Sequence, residues 1–200
     1  MLRRETHRPD GVVPWDELVA SHLDGPRLEH SRRTAAFAAD LARRFGLDPS
    51  AAYRAALLHD IDKGVPAAQL LDRVRRLGLT GELVEPPWPE ILHGPVAAAE
   101  LMALGLDPEE AAAIAEHTTG RAGMGPLSMV VYVADKIEPG RDYEGVEALR
   151  RDVGPDLVGT MRRVMTDQVA HMLRRGAPVH PTSLGTWNWL STKGEDGAGR

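Results

Sequence analysis

The stretch LLHDIDK, residues 57–63, determines how the rest of the sequence is interpreted. Two leucines lead directly into His59 and Asp60, and Lys63 follows three positions after the aspartate. Burying a carboxylate behind an apolar run is unfavourable unless a partner neutralises its charge. A divalent metal ion does this, and it also binds imidazole nitrogen. The stretch therefore predicts a core helix that ends in two neighbouring metal ligands.

Helix signals recur on both sides of this stretch and predict an all-α protein. Asp48-Pro49 and Asp107-Pro108 each place an N-cap residue before a proline at the first helical position. The apolar run VVYV at 130–133 lies inside a longer helical pattern and has no partner strand. Helices are predicted at 28–45, 47–60, 65–77, 96–105, 106–117, 127–138, 144–153 and 156–175, with a short turn around Trp187 and Trp189.

Length and composition suit one helical domain with additional terminal segments. The chain has 200 residues, of which 42% are hydrophobic and only 4% aromatic, a mix that favours closely packed helices. We expect an N-terminal arm at 1–25 and a helical bundle at 26–176. A C-terminal segment at 177–200 is expected to pack on the bundle, with its last ten residues disordered.

Charge and residue usage exclude several classes of function. The net charge is −5 without a basic stripe, which argues against nucleic acid as a partner. No apolar run approaches the ~20 residues that a membrane-spanning helix needs, and the N-terminus is not a secretory signal. The expectation is a cytoplasmic protein. The absence of cysteine excludes disulfides and thiolate metal sites. The apolar face of the helix at 156–175 suits either the core or a homodimer interface.

Three further histidines and one aspartate stand near the ends of predicted core helices: His30, His93, His117 and Asp135. Each of them alone is also compatible with a hydrogen-bonded or surface group. Separate helices that each supply one ligand are, however, how helical bundles build metal centres. Imidazole and carboxylate without thiolate suit an open site for iron, manganese, cobalt, nickel or zinc. The other histidines, His7, His22, His171 and His180, have no such partner and are assigned no site role.

The ordered motifs HDIDK, LHGP, EHTTG, ADKIEPGR and HPTSLGTWN resemble the HD superfamily of metal-dependent phosphohydrolases. Within it they are similar to the YqeK-type branch, the symmetrical bis(5'-nucleosyl)-tetraphosphatases. The resemblance covers residues 26–190 and implies an HD-domain helical bundle with a dinuclear metal site in its core. Asp62 and Lys136 depart from the usual pattern of that branch, and Asp62 adds a negative charge near the site.

The resemblance also implies a division of the ligands and a reaction. His30, His59, Asp60 and Asp135 would hold one metal ion, and Asp60 would bridge to a second ion completed by His93 and His117. The cofactors would be two divalent or mixed-valence transition metal ions. Iron is the first expectation, and manganese, cobalt and nickel are alternatives. The small-molecule partner would be diadenosine tetraphosphate, which a metal-bridging hydroxide would cleave symmetrically into two molecules of ADP.

Further residues are expected to contact the polyphosphate. Lys63 lies one helical turn after Asp60, and Arg141 follows the helix that carries Asp135. Both are predicted to act with Asp60 in catalysis and to bind substrate. The other predicted substrate contacts are Arg27, Thr118, Thr119 and Gly120. A solvated surface base, or an ordinary loop in the case of Thr118 to Gly120, is the competing interpretation.

Two other functions remain compatible with the sequence. One is a different HD phosphohydrolase, which would act on nucleotide monophosphates or cyclic phosphodiesters. The other is a nucleotide-binding module that keeps the fold without turnover. The second alternative predicts missing ligands, whereas all six predicted ligand positions carry a histidine or an aspartate.

Overall fold

Residues 13–85 and 88–193, which the computed structural model describes, form ten α-helices and no strand. The prediction of an all-α protein is confirmed. The helices are α1 (Trp15–His22), α2 (Gly25–Arg44), α3 (Pro49–Leu58), α4 (Ala67–Leu77), α5 (His93–Met102), α6 (Pro108–Glu116), α7 (Pro126–Ile137), α8 (Val146–Arg151), α9 (Leu157–Arg174) and α10 (Pro181–Thr192).

The bundle is centred on α7. Ten of the twelve α7 residues are buried, from Leu127 to Ile137, and this helix packs against α2, α3, α6 and α9. Such complete burial explains why VVYV lacks a polar face and could be mistaken for a strand. α2 and α3 form the most extensive helix pair, and their interface consists largely of alanines such as Ala38 and Ala55. Short side chains let these two helix axes approach closely.

The predicted N-caps of α3 and α6 are present. The Asp48 carboxylate accepts a hydrogen bond from the Ser50 backbone N–H at 2.8 Å, and Asp107 accepts one from Glu109 at 2.8 Å. Each cap satisfies a backbone donor that has no partner within its helix. These two helices begin where the sequence predicts, and both end one residue before a predicted metal ligand.

Helix α10 is longer than the short turn predicted around Trp187 and Trp189. It starts after His180, whose Nδ1 accepts from the Thr182 N–H at 3.3 Å, and it continues for twelve residues. Thr186 and Leu190 are fully buried, and α10 packs on α9. Contact with α9 stabilises this helix. The apolar residues of α10 follow the helical period only weakly, so its own sequence would not stabilise it.

The N-terminal segment also contains a helix that was not predicted. α1 lies within the proposed arm and buries Leu18 and Val19 against the bundle. Residues 1–12 and 194–200 lie outside the described residues. The predicted disorder of the last ten residues, 191–200, therefore falls mostly outside them. The domain boundaries remain predictions.

Helix α9 places the first half of its apolar face in the core. Met161 and Met165 are fully buried, whereas Val169 and Met172 further along the same face are half-buried. The core interpretation of this face therefore applies to its N-terminal half, and the homodimer stays a prediction. Among the described residues, no helix combines the length and the apolar character needed to cross a membrane.

Candidate metal centre

The six predicted ligands converge from five helices at one end of the bundle. α2 supplies His30, the turn after α3 supplies His59 and Asp60, and α7 supplies Asp135. His93 is the first residue of α5, and His117 directly follows α6. His59, His93 and His117 are essentially inaccessible to solvent, and Asp135 is 5% exposed. The convergence brings residues more than a hundred positions apart into one cluster.

One half of the cluster gathers around Asp135. Its Oδ1 lies 3.0 Å from His30 Nε2 and 3.5 Å from His59 Nε2. A second carboxylate also reaches this half: Asp60 Oδ2 is 3.5 Å from the same His59 nitrogen. Ligand atoms of His30, His59 and Asp60 lie within 4.8 Å of one another, as do those of His59, His117 and Asp135, and imidazole with carboxylate suits a divalent transition metal ion.

The other half gathers around Asp60 Oδ1. This oxygen lies 3.0 Å from His93 Nε2 and 3.4 Å from His117 Nε2, and these two nitrogens are 3.0 Å apart. Asp60 therefore directs one oxygen to each half of the cluster. This is the arrangement that a carboxylate bridging two cations requires.

Backbone contacts define which nitrogen each buried histidine offers. In His59, His93 and His117, the Nδ1 atom faces a carbonyl oxygen three residues earlier in the chain. These carbonyls belong to Ala56, Glu90 and Ile114, at 2.6, 3.0 and 2.7 Å. Because a carbonyl can only accept, Nδ1 carries the proton and Nε2 keeps its lone pair. All three lone pairs point into the cluster.

The pattern of unmet hydrogen bonds fits bound cations. His59 Nε2 and Asp60 Oδ1 are both buried without a hydrogen-bond partner among the described residues. The histidine nitrogens and carboxylate oxygens face each other as acceptors, an arrangement that is unfavourable when nothing lies between them. A pair of metal ions would satisfy every one of these atoms, so the residues present fit the cofactor that the sequence predicts.

A glycine in the LHGP motif permits the close approach of α5 and α6. A Cβ atom at Gly94 would lie 2.9 Å from the Ile114 carbonyl oxygen and 3.2 Å from the His117 ring. Contacts that short require neighbouring atoms to move, and the nearest one is rigid backbone. Gly94 therefore lets His93 and His117 come within ligand distance of each other.

Burial and charge shift the pKa values in the cluster in opposite directions. Burial lowers the pKa of His117 to about 3, so its imidazole is neutral and free to bind metal. Burial also disfavours a proton on His59, but the charges of Asp60 and Asp135 outweigh it and raise the pKa of His59. The carboxyl groups of Asp60 and Asp135 have pKa values held well below the usual range, in spite of burial, by the neighbouring His59 and Lys136, respectively.

If two metal ions bind as the sequence predicts, acidification is expected to remove the ion at His30 and His59 before the ion at His93 and His117. The neutral imidazole is the ligand, so a raised pKa lets protons compete for His59 at higher pH than they do for His117. Bound Co²⁺ followed from about pH 8 to about pH 5 should fall in two steps. Simultaneous loss of both ions, or earlier loss at His117, would contradict the expectation.

Three cationic side chains border the ligands. Lys63 Nζ lies 3.5 Å from Asp60 Oδ1 and 3.4 Å from His93 Nε2, and its side chain is 41% exposed. Arg141 donates to Asp135 Oδ1 at 2.6 Å, and Lys136 donates to Asp135 Oδ2 at 2.5 Å. Lys63 and Arg141 therefore lie beside the cluster, and their roles in catalysis and substrate binding stay predictions. No role was predicted for Lys136.

The cluster forms the floor of a cleft of about 530 Å³. His30, Asp60 and Asp135 line the floor, and the polar face of α9 forms part of the wall. The α9 residues on this wall are Asp167, Gln168, His171 and Arg174. They were not predicted from the sequence, which gave His171 no site role. Their spacing of one, three and four residues along one side of α9 was the available signal.

The remaining predicted substrate residues lie at the edge of the site or outside it. Thr118 Oγ1 is 3.1 Å from His117 Nε2. Thr119 is buried and donates to the Gly120 carbonyl at 2.9 Å. Gly120 has a φ of 66° and packs against Thr186, where a Cβ atom would overlap. The contacts of Thr118, Thr119 and Gly120 with phosphate stay predictions.

Arg27 and Asp62 belong to a neighbouring cavity of about 390 Å³. The Arg27 guanidinium lies over Gly64, and its phosphate contact likewise stays a prediction. Asp62 is 2% exposed, and Arg73 Nη1 lies 3.2 Å from both of its oxygens. The negative charge of Asp62 is therefore paired with the guanidinium of Arg73.

The helical bundle and its histidine–aspartate cluster together define the class of protein. Residues 27–140 match the family model of the HD domain. The chain belongs to the HD-domain family.

Within that family the chain is similar to proteins named symmetrical bis(5'-nucleosyl)-tetraphosphatase. It is 32% identical over 176 residues to the one from Halalkalibacterium halodurans, which covers 87% of this chain and 94% of the relative. It is 33% identical over 174 residues to the one from Bacillus subtilis, with 86% and 93% covered. A crystal structure from Clostridium acetobutylicum, described as a predicted HD superfamily hydrolase involved in NAD metabolism, superposes with a TM-score of 0.82 at 27% identity. That match covers 90% of this chain and 96% of the other.

Proposed function

We propose that this chain is a metal-dependent hydrolase that cleaves diadenosine tetraphosphate symmetrically into two molecules of ADP. The observation that carries the proposal is the Asp60 carboxylate, which directs one oxygen to each half of a buried histidine–aspartate cluster. The similarity to relatives named symmetrical bis(5'-nucleosyl)-tetraphosphatase over most of both chains supports the choice of substrate. We expect a cytoplasmic enzyme that acts on a small-molecule nucleotide.

The cluster is proposed to hold two divalent metal ions, as the HD-domain family implies. His30, His59, Asp60 and Asp135 would hold one, and Asp60, His93 and His117 would hold the other. Iron is the metal we propose, with manganese, cobalt or nickel as substitutes, because imidazole and carboxylate suit all of them. Such ions supply a water of lowered pKa and charge stabilisation at the phosphorus under attack.

The cations beside the cluster would hold the polyphosphate. A tetraphosphate bridge carries several negative charges, and Lys63, Lys136, Arg141 and Arg174 all line the same cleft. Lys63 and Arg141 are well suited to this task because their side chains are 41% and 38% exposed. Partial exposure leaves donor positions free for phosphate oxygens. These side chains would orient the reacting phosphorus above the cluster.

The α9 wall is proposed to contact the rest of one nucleotide. Gln168 offers both a donor and an acceptor, and Asp167 offers an acceptor for ribose hydroxyls. Arg174 adds a second site of positive charge further along the same helix. A wall of this kind would place one ADP unit at a fixed distance from the metals, which symmetrical cleavage requires.

The test is a substrate panel run with the protein loaded with iron, manganese or cobalt. Diadenosine tetraphosphate should give ADP alone when the products are separated by ion-exchange chromatography. ATP with AMP would contradict symmetrical cleavage. Turnover confined to nucleotide monophosphates or cyclic nucleotides would favour a different HD phosphohydrolase. Nucleotide binding without any hydrolysis would favour a non-catalytic module.

Lys63→Ala is expected to lower turnover of diadenosine tetraphosphate by about 10²- to 10³-fold while two metal ions remain bound. The ammonium group contacts Asp60 and His93 but contributes no lone pair to a metal ion. Turnover and metal content should be measured on the same preparation. Lys193→Ala, an exposed lysine at the end of the described chain, is the matched control. Loss of metal together with activity would show that Lys63 acts through the ligands.

A further inference from the structure

His30 differs from the other three histidines of the cluster in the partner of its Nδ1 atom. His59, His93 and His117 each use a backbone carbonyl, whereas His30 Nδ1 lies 3.2 Å from the side-chain Oε1 of Glu138. The two residues are 108 positions apart in the sequence. Glu138 is 1% exposed, so this carboxylate is buried directly behind a predicted metal ligand.

The Glu138 carboxylate is fixed by donors on its far side. Arg33 Nε donates to Oε2 at 2.8 Å, and the Gly140 backbone N–H donates to the same oxygen at 2.5 Å. A Cβ atom at residue 140 would overlap the Arg33 guanidinium, which accounts for the glycine in the IEPGR motif. Oε1 has the longer contact with Arg33, whose Nη2 donates to it at 3.4 Å, and it also accepts from His30.

The IEPGR turn is held in place by a single guanidinium from α8. Arg150 donates to the carbonyl oxygens of Ile137, Glu138 and Arg141, at 2.8, 2.6 and 2.6 Å. The same turn carries Arg141, which contacts Asp135. One rigid turn therefore orients groups behind both His30 and Asp135.

We propose that Glu138 is a positioning residue for the metal centre. It accepts a hydrogen bond from His30 Nδ1–H and so keeps the lone pair of Nε2 directed at the cation that His30 and Asp135 would share. A carboxylate behind a ligating imidazole fixes both the ring orientation and the proton position, and it strengthens the imidazole as a ligand. This inference rests on the metal centre of the proposed function but not on the identity of the substrate.

Glu138→Gln provides the test because it keeps the shape and reverses one hydrogen bond. Two strong donors, Arg33 and the Gly140 N–H, should bind the amide oxygen, which turns the amide NH₂ towards His30. An NH₂ group can only donate, so His30 would have to carry its proton on Nε2 and lose the lone pair facing the metal. Titration with Co²⁺ should give two sites in both proteins, one of them about 10- to 100-fold weaker in the variant.

Nitrogen-15 spectra of the His30 ring in metal-free protein supply a readout that is independent of activity. The wild type should show a protonated Nδ1 and the variant a protonated Nε2. Glu110→Gln is the matched control, since Glu110 is a buried glutamate paired with Arg54 on the other side of α3. It should leave Co²⁺ affinity and the His30 spectrum unchanged.

The outcomes separate this inference from the proposed function. Fewer than two Co²⁺ ions bound by the wild type would defeat the metal centre itself. Two ions bound by the wild type with unchanged affinity in Glu138→Gln would overturn only the role of Glu138. Should the variant fail to fold, the wild-type spectrum alone still decides, because a protonated Nε2 on His30 contradicts the proposal.

Discussion

Asp60→Ala is expected to lower hydrolysis of diadenosine tetraphosphate by more than about 10³-fold and to deplete both metal ions. The substitution removes one oxygen from each half of the cluster, because Oδ2 faces His59 and Oδ1 faces His93 and His117. It also leaves the buried imidazoles of His93 and His117 without the carboxylate that they share. Metal content should be determined by elemental analysis, and turnover by release of ADP.

Asp40→Ala is the control for this experiment. Asp40 lies on the exposed side of α2, and its side chain is 70% exposed and pairs with Arg43. Exposed pairs of this kind contribute little to stability, so both metal content and turnover should match the wild type. Two metal ions retained by Asp60→Ala would contradict the bridging role of the carboxylate.

His117→Ala is expected to reduce the bound metal from two ions to one and turnover by about 10²-fold or more. His117 contributes one of only three ligand groups in its half of the cluster, whereas the other half keeps all four. Burial also lowers the pKa of His117 to about 3, so its imidazole stays neutral and able to bind metal at moderate pH. The remaining ion should be lost only when His30 is replaced as well.

His22→Ala is the matched control, since His22 is exposed near the end of α1 and lies outside the cluster. It should keep two metal ions and full activity. Elemental analysis that finds two ions in His117→Ala, or none, would contradict the division of ligands between two halves.

The fold could be predicted to a large extent because helix signals are local. The caps at Asp48 and Asp107 act on N–H groups only two residues away, so they are visible in any short window of sequence. Helix α1 was missed and α10 was predicted only as a short turn, because packing against other helices stabilises them. Leu18 and Leu190 become buried only when the bundle is assembled. The VVYV run of α7 has no polar face because the helix is buried on all sides, and the longer helical pattern around it was needed to predict the helix.

The candidate site could be predicted in part. His59 and Asp60 stand together in the sequence, and the other ligands stand at helix ends, so residue type and order were sufficient to name all six. The groups behind and around the ligands could not be named in this way. Glu138 lies within the ADKIEPGR motif, but its contact with His30 is visible only in the structure, and so is the position of His171 in the cleft.

The sequence by itself determined most of the helices, the residue types of the candidate ligands and the membership of the HD-domain family. It did so because helix caps, apolar periodicity and motif order are properties of neighbouring residues. Only the tertiary structure decided which oxygen of Asp60 faces which histidine, which group stands behind His30, and which helix forms the wall of the cleft. Most of those contacts join side chains of different helices, such as His30 and Asp135, which are 105 positions apart, and the packing of the helices around α7 sets their distances.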